Sequence, residues 1–305
     1  MDLELSDDQI ALRDGIASML AARIPMERVR DGFDRPMFEE LSAAGVFSLR
    51  ADGFSWADCV VVFEQLGRFC VPGPLVDSLL LGDGRIAARV SEFPPIWVEH
   101  IDALDVLLVE RQGETHAVDP GVVEREPSPW PLDPCTPVAR VERLPSGTSV
   151  NLDRSQWDLP GTALTAALQL GLADRLTELA VAYATERVQF DRPIGSFQAI
   201  KHMLADMLTR TEVARAAVYS AGAVLDEDSD RNMRHRLVHG AKVVAGDAAI
   251  ANGKAATQVF GGMGFTWEVD VHLYLKRAWV LETHFESAER NAELVCALAG
   301  DPRLP

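Results

Sequence analysis

The stretch that decides the fold is ERVQFDRPIGSFQAIKHMLADM, residues 186 to 207. It begins at the end of a helical run and is interrupted by Pro193 and Gly195, after which a second helix starts near Ser196. Proline and glycine together predict a chain reversal at this point. We therefore expect residues 187 to 190 at a corner between two long helices.

This corner brings an arginine, a glutamine and an aromatic ring together within four residues. Arg187 is able to hold a phosphate group with two N–H donors, and Phe190 offers a flat apolar face. Such a set suits a phosphate-bearing cofactor that contains an aromatic ring system. The spacing is also compatible with a simpler interpretation, in which Arg187 caps the end of a helix and Phe190 belongs to the core.

Composition narrows the classes of function. The 305-residue chain carries a net charge of −17, which argues against nucleic acid and anionic membranes as partners. No apolar run approaches the roughly 20 residues of a membrane span, and no secretory signal is recognised at Met1. The 4 cysteines have no paired spacing, so neither a metal site nor a disulfide framework is expected. A cytoplasmic protein is the simplest interpretation.

Two segments of the second half resemble the acyl-CoA dehydrogenase family. Their residues, in chain order, are Arg187-Val-Gln-Phe190, Pro193-Ile194, Phe197-Gln198 and Leu204-Ala-Asp-Met207 in the first segment, and Gln258-Val-Phe-Gly-Gly-Met-Gly-Phe265 in the second. The order and separation are those of the family. The resemblance covers residues 156 to 295 well, the N-terminal helices loosely and the middle poorly.

Hydrophobic periodicity and the resemblance predict the same mainly α architecture with a small β insert. We expect an N-terminal helical domain at 1–84, a reduced β domain at 85–152 and a C-terminal antiparallel four-helix bundle at 153–305. A capping box at Ser6 predicts the first helix. The other expected helices are Pro36–Ala44, Ser55–Arg68, Leu75–Leu81, Gly161–Arg187, Ser196–Leu225, Asn232–Val259 and Val271–Leu298.

The middle region reads as a small antiparallel β unit. Its expected strands are Pro95–Val98, Val106–Val109, His116–Val118 and Val138–Val141, with a hairpin turn at Gln112-Gly113. The family's β domain is longer and carries two segments that hold the flavin ring, and neither is found here. Trp97 and Trp130 lack the flanking pattern of those segments and are expected to serve packing in the core or at the surface.

The resemblance implies a binding site for FAD between two subunits. One subunit holds the flavin ring in its β domain, and its neighbour contacts the ADP end. Carried over by position, the contacts at the ADP end are Arg187, Gln189, Phe190, Gln258, Gly261 and Gly262. The family's acidic diglycine loop near the acyl chain is reduced here to residues 51–54, so any acyl pocket is altered.

The resemblance also implies a glutamate that removes the α-proton of the acyl-CoA, and this residue is missing. Its usual position is occupied by Phe285, and its alternative position, near the start of a long helix, by Gly161. Glu286 in a shifted helical register, or Glu282, is the fallback base. Otherwise these glutamates, with Glu289, form a solvated face, and His284 lies at the surface or an interface.

The base and the flavin-ring segments are missing, whereas the segments that contact the ADP end are present. Together these observations predict that the chain contributes one half of a site shared between two subunits. The hypothesis is a non-catalytic subunit of a heteromeric acyl-CoA dehydrogenase, α2β2 by analogy. Its homologous partner binds most of the acyl-CoA and supplies the base. A steroid-derived acyl-CoA is the substrate suggested by analogy. Two alternatives stay open: a self-sufficient homo-oligomeric dehydrogenase, and a flavin-free scaffold or acyl-CoA-binding protein.

Overall fold

The computed structural model describes residues 3–299, so the outer domain limits at Met1 and Pro305 lie outside the described residues. Its N-terminal helices are α1 (Asp7–Arg23), α2 (Met26–Arg30), α3 (Arg35–Ala43), α4 (Trp56–Arg68) and α5 (Leu75–Leu81). Four of these confirm the predicted helices, whereas α2 was not expected. The domain limits at 84/85 and 152/153 stay predictions.

Side-chain caps explain where helices α1 and α4 begin. Ser6 accepts the N–H of Gln9, and Gln9 accepts the N–H of Ser6, so the predicted capping box is confirmed. Ser55 and Asp58 exchange the same pair of bonds at the start of α4. These bonds satisfy backbone donors that have no partner in the first helical turn.

The middle region forms two small sheets. Its strands are β1 (Ala87–Ser91), β2 (Ile96–Glu99), β3 (Val106–Arg111), β4 (Glu114–Val118), β5 (Glu126–Pro127), β6 (Val138–Val141) and β7 (Thr148–Val150). One sheet has the order β1-β3-β4-β7 and the other β2-β6-β5. The predicted hairpin at Gln112-Gly113 joins β3 to β4, and both residues have positive φ, as a tight hairpin turn requires.

The prediction of a purely antiparallel unit is wrong at the first strand. Strand β1 was not expected, and it pairs with β3 in parallel. The reason is the route of the chain, which leaves β1, passes through β2 in the other sheet and returns to form β3. Such a crossover delivers the second strand in the same direction as the first.

The C-terminal half is helical. Its elements are α6 (Asp158–Glu186), β8 (Val188–Gln189), β9 (Arg192–Pro193), α7 (Gln198–Asp226), α8 (Arg231–Phe260), α9 (Val271–Glu282) and α10 (Ala288–Ala299). Helices α6, α7 and α8 form the predicted bundle with short connections. The fourth predicted helix is wrong as a single element, because residues 283–287 separate α9 from α10. None of the helices within 3–299 is long and apolar enough to cross a bilayer.

Two glycines allow the N-terminal helices to pack closely on the bundle. A Cβ added at Gly67 in α4 would overlap the backbone of Leu168 in α6. A Cβ added at Gly171 in α6 would in turn overlap the backbone carbonyl of Glu64. Because the two helix backbones touch at these points, α4 and α6 form the rigid junction between the two helical parts.

A buried ion pair fixes the β region to the bundle. Asp133, in the segment before β6, accepts a hydrogen bond from Nε of Arg277 in α9, and both side chains are almost fully buried. Arg277 also donates to the carbonyl of Val71 at 2.8 Å. A buried charge is costly unless it is paired, so these contacts specify one position of the β region against α9.

Candidate functional site

The predicted corner between α6 and α7 is a short β-hairpin. Strands β8 and β9 pair with each other, and the two residues between them, Phe190 and Asp191, have φ values of 53° and 62°. The chain therefore reverses at Phe190-Asp191 and not, as predicted, at Pro193 and Gly195. The interpretation of Phe190 as a core residue is also wrong, because 85% of it is exposed.

An aromatic stack joins this corner to the second matched segment. Tyr183, near the end of α6, stacks on Phe260, the last residue of α8, with ring centroids 4.1 Å apart. Its hydroxyl lies 3.7 Å from the sulfur of Met263, and its carbonyl accepts the N–H of Arg187. The tertiary structure thus places the corner and the 258–265 segment at the same end of the bundle.

All six residues predicted to contact the ADP end of FAD are exposed at this end of the bundle. They are Arg187, Gln189, Phe190, Gln258, Gly261 and Gly262. Arg187 occupies the C-cap position of α6, and within residues 3–299 its guanidinium makes neither an ion pair nor a hydrogen bond. Gly261 has a φ of 62°, and the space where a Cβ would stand is open at both glycines.

The break between α9 and α10 sets the position of Phe285. Phe285 and Glu286 have φ values of 51° and 72°, which end the helical path. The buried side chain of Asn291 holds this loop, since its amide nitrogen lies 2.9–3.3 Å from the carbonyl oxygens of residues 285, 286 and 287. Its Oδ1 lies 2.7 Å from Nδ1 of His239 in α8, which anchors the loop to the bundle.

The ring of Phe285 packs against the start of α6. A Cβ added at Gly161 would overlap this ring, so the two residues are in direct contact. The guanidinium of Arg89 lies over the same ring, 5.0 Å from its centroid. The two positions considered for a catalytic base are therefore neighbours in space, and neither carries a carboxylate.

A cavity of about 320 Å³ lies beside Phe285, between α5, the strands and the 283–287 loop. Its ionisable side chains are Asp77, Arg89, Glu99 and His284. Asp77 accepts hydrogen bonds from the N–H of Arg89 and from Nε1 of Trp157. Nε2 of His284 lies 3.0 Å from Oε1 of Glu99. His284, which was predicted to lie at the surface or an interface, is thus half-buried in the wall of this cavity.

The environment of this cavity shifts the pKa values of its groups. Burial raises the pKa of Asp77, with Arg89 opposing the shift. For Glu99, burial acts in the raising direction, but the neighbouring His284 lowers the pKa below its usual value. Burial likewise disfavours charge on His284, yet Glu99 raises the pKa of its imidazole. The Glu99–His284 contact is therefore a charged pair at mildly acidic pH.

Neither fallback glutamate faces this cavity. Glu286 is exposed in the loop, and its register cannot be shifted along a helix because residues 283–287 are not helical. Glu282 is the last residue of α9, and its Oε1 accepts the N–H of Ala288 at the start of α10. The expectation of a helical register for Glu286 is therefore wrong.

The two tryptophans considered for a flavin-ring segment are both accessible. Trp97, on β2, is 47% exposed and lines the cavity beside Phe285, and Trp130 is 89% exposed. No group of three or more His, Cys, Asp or Glu side chains within 3–299 is arranged to hold a metal ion. The cysteines are free: Cys59, Cys70 and Cys135 are buried, and Cys296 is exposed.

Comparison with known proteins identifies the family. Residues 159–285 match the family described as acyl-CoA dehydrogenase, C-terminal domain. The acyl-CoA dehydrogenase IpdE2 of Mycolicibacterium smegmatis is 32% identical over 302 residues, which cover 90% of this chain and 93% of that protein. The chain belongs to the acyl-CoA dehydrogenase family. The predicted family, and with it a fold that is mainly helical with a small β region, is confirmed.

Solved structures show the acyl-CoA dehydrogenase fold over nearly the whole chain. A chain of the ChsE4–ChsE5 complex from Mycobacterium tuberculosis superposes with a TM-score of 0.81 and 21% identity, covering 99% of this chain and 100% of that chain. A Tcur3481–Tcur3483 steroid ACAD variant gives a TM-score of 0.81 and 18% identity, covering 96% and 98%. At these identities the likeness concerns the fold alone.

The exposed end of this acyl-CoA dehydrogenase bundle fits the ADP half of FAD. Arg187 offers an exposed guanidinium for a diphosphate, and Gly261 and Gly262 leave open space in which a nucleotide backbone can approach closely. Phe190 and Phe265, which are 85% and 80% exposed, add apolar area beside them. These side chains would hold the cofactor's nucleotide end, and bound FAD supplies hydride transfer chemistry to this family.

Sequence reasoning missed the ionisable groups that face the cavity beside Phe285. Asp77, Arg89 and Glu99 come from α5, β1 and β2, and no motif connects them. The sequence offered one signal, because Asp77 is an acidic residue among the apolar residues of α5. An isolated acid within an apolar helix face predicts a buried, hydrogen-bonded carboxylate.

Proposed function

We propose that this chain is a subunit of a heteromeric, FAD-dependent acyl-CoA dehydrogenase, which desaturates an acyl-CoA thioester between its α and β carbons. In this proposal the chain contributes the six exposed residues at the end of its bundle to the ADP half of FAD. A homologous partner, in an α2β2 assembly, supplies the catalytic glutamate and most of the acyl-CoA site. A cytoplasmic location belongs to the same proposal.

The observation that carries the proposal is the contact between Phe285 and Gly161. A general base must be within reach of the proton that it removes. Phenylalanine accepts no proton, and its ring occupies the space in which a side chain from residue 161 would stand. A chain that keeps the family's nucleotide-binding segments but fills this space is suited to complete another subunit's site.

The exposed end of the bundle supports the second half of the proposal. A guanidinium without a partner among the described residues, at the same end of the bundle as two aromatic side chains that are more than three-quarters exposed, is typical of a surface that another molecule covers. The likeness to chains of the ChsE4–ChsE5 and Tcur3481–Tcur3483 complexes supports a homologous partner. Because the latter is described as a steroid ACAD, we extend the proposal to a bulky, steroid-derived acyl-CoA.

The test is co-expression of this chain with the product of the adjacent gene, followed by purification through a tag on this chain. We expect a yellow complex with equal amounts of both subunits. Arg187→Ala should reduce its affinity for FAD about thirtyfold, since a charge-assisted pair with phosphate contributes roughly 2 kcal/mol. The matched control is Arg236→Ala, also exposed and without a partner in the described chain, which should leave the flavin content unchanged.

Two outcomes would replace the proposal. If the chain purified alone is yellow and reduces a dye acceptor with an acyl-CoA, it is a self-sufficient dehydrogenase. If the complex forms but its flavin content does not depend on Arg187, the chain is a scaffold that makes no contact with the cofactor.

A further inference from the structure

A second cavity, of about 420 Å³, lies between the start of α3, the segment 100–104 and the strands β5 and β6. Its walls are mainly apolar and include Phe33, Leu104 and Val138. It shares only Val138 with the cavity beside Phe285, and it contains none of the six residues proposed to contact FAD. Its size lies within the range of pockets that hold small molecules, roughly 300–1,000 Å³.

One polar ring in this cavity has no partner. His100 is only 3% exposed, its Nδ1 is completely buried, and neither ring nitrogen makes a hydrogen bond within residues 3–299. The backbone holds the ring in place, because the N–H of His100 donates to Pro137 and its carbonyl accepts from Ala103, both at 2.8 Å. Phe33 packs against the imidazole edge-on, with ring centroids 5.6 Å apart.

The placement of His100 is unfavourable for the protein alone. A buried polar group without a partner loses its hydrogen bonds to water and gains none in return. The residue also has a φ of 51°, in the left-handed region that side chains rarely adopt. Strained backbone of this kind is concentrated at functional sites. A ligand that bonds to the accessible ring nitrogen would supply a hydrogen bond that the protein alone does not provide.

The charges at the cavity select an uncharged ligand. Its one cationic side chain among the described lining residues, Arg35, is held at two atoms by Asp105. The other charged groups there are the carboxylates of Asp34 and Asp102, which are paired with Arg28 and Arg125. Burial, with a contribution from the nearby Arg277, lowers the pKa of His100 to about 4, although Glu99 opposes the shift. The charges that line the cavity therefore neutralise one another, and an anion would find a neutral imidazole and, in the described part of the wall, no cation that is still available to it.

We propose that this cavity binds a compact, uncharged and mainly apolar molecule that carries one hydroxyl group, with the hydroxyl bonded to Nε2 of His100, the ring nitrogen that is not completely buried. A neutral imidazole has one N–H donor and one bare nitrogen, and a hydroxyl group both donates and accepts. The apolar walls accommodate the rest of the molecule. The inference does not depend on the proposed role in binding FAD.

The test is a titration of the full-length chain with three probes that share one ring system: 2-naphthol, naphthalene and 2-naphthoate. Calorimetry or probe fluorescence gives the affinities. We expect 2-naphthol to bind five to ten times more tightly than naphthalene, which corresponds to one hydrogen bond. The anionic 2-naphthoate should bind more weakly than both. Equal affinities for all three probes, or no binding of 2-naphthol at millimolar concentration, would overturn the proposal.

Two variants locate the binding. His100→Phe should abolish the preference for 2-naphthol over naphthalene while it raises the thermal unfolding temperature, because an unpaired polar group is removed. Ser128→Trp, which fills the cavity from the strand side, should abolish binding of both probes. The matched control is His116→Phe on β4, which should change neither affinity. If the preference for 2-naphthol survives His100→Phe, the imidazole is not the recognition group.

Discussion

The ring of Phe285 rests against the bare backbone of Gly161, although the two residues are more than one hundred positions apart. Arg89 covers the ring at 5.0 Å from its centroid. The ring of Phe285 thus fills the space that a side chain at position 161 would occupy. In the proposed function this contact leaves the chain without a base at either position, and the contact itself can be tested directly.

Gly161→Ala should lower the free energy of unfolding by about 2 kcal/mol, because the new methyl group overlaps the ring of Phe285. In a Phe285→Ala background the same change should be neutral or stabilising, since alanine favours a helix over glycine by about 1 kcal/mol. Urea unfolding of the wild type, the two single variants and the double variant gives the coupling free energy between the two residues. Gly240→Ala in α8, where the space is open, is the matched control and should stabilise. If Gly161→Ala lowers the free energy of unfolding equally in the wild type and in Phe285→Ala, the two residues are not in contact.

Substitution of the fallback glutamates should leave catalysis intact. We expect Glu286→Gln to change neither stability nor the dye-reducing activity of the complex, because its side chain is exposed in the loop. Glu282→Gln should cost about 1 kcal/mol of stability through the weakened bond to Ala288 at the start of α10, with activity again unchanged. A hundredfold loss of activity in either variant, on the order expected for a catalytic base, would identify that glutamate as the base.

The Glu99–His284 pair should make stability depend on pH. The pKa of Glu99 is lowered from 4.5, so its contribution is present above that value and is lost as pH falls through the folded-state pKa. The pKa of His284 is raised from 6.5, so its contribution is present below 6.5 and is lost as pH rises through the folded-state pKa. Glu99→Gln should therefore cost roughly 1 kcal/mol near pH 6 and less at pH 9.

Urea unfolding at the two pH values measures this difference. Glu114→Gln is the matched control, because Glu114 also faces a histidine, His116, but is 72% exposed and 3.7 Å away. It should show the same small cost at both pH values. A cost for Glu99→Gln that does not change with pH would mean that the pair contributes through shape and not through charge.

A buried lysine should make the protein more stable as pH rises, whereas the contribution of the Glu99–His284 pair falls between pH 6 and pH 9. Nζ of Lys242 donates to the carbonyls of Leu281 and Glu282 at the end of α9, and the side chain is completely buried. Burial lowers its pKa from 10.5 to about 8, with Glu282 opposing. Between these two pKa values the unfolded chain binds more protons than the folded chain, so the free energy of unfolding rises with pH. From pH 7 to pH 10, the wild type should gain on the order of 2–3 kcal/mol of this free energy relative to Lys242→Met. Calorimetric unfolding of both proteins across this range tests the sign.

The sequence by itself determined the local features of this protein. Helix starts at Ser6 and Ser55, the hairpin at Gln112-Gly113 and the two family segments were all readable, because the groups that cap a helix or close a turn lie within a few residues of each other. The resemblance to the family, counted along the sequence from the second segment, further implied that Phe285 occupies the usual position of the glutamate.

Only the tertiary structure decided how these features combine. The break between α9 and α10 depends on Asn291, which reaches back to hold a loop with two residues in the left-handed conformation. The meeting of the two family segments depends on the stack of Tyr183 on Phe260, and the unpartnered His100 is defined by walls from α3 and two strands. These contacts join residues that are distant in the chain. Their free energy comes from the burial of surface between separate elements, which a local sequence pattern does not show.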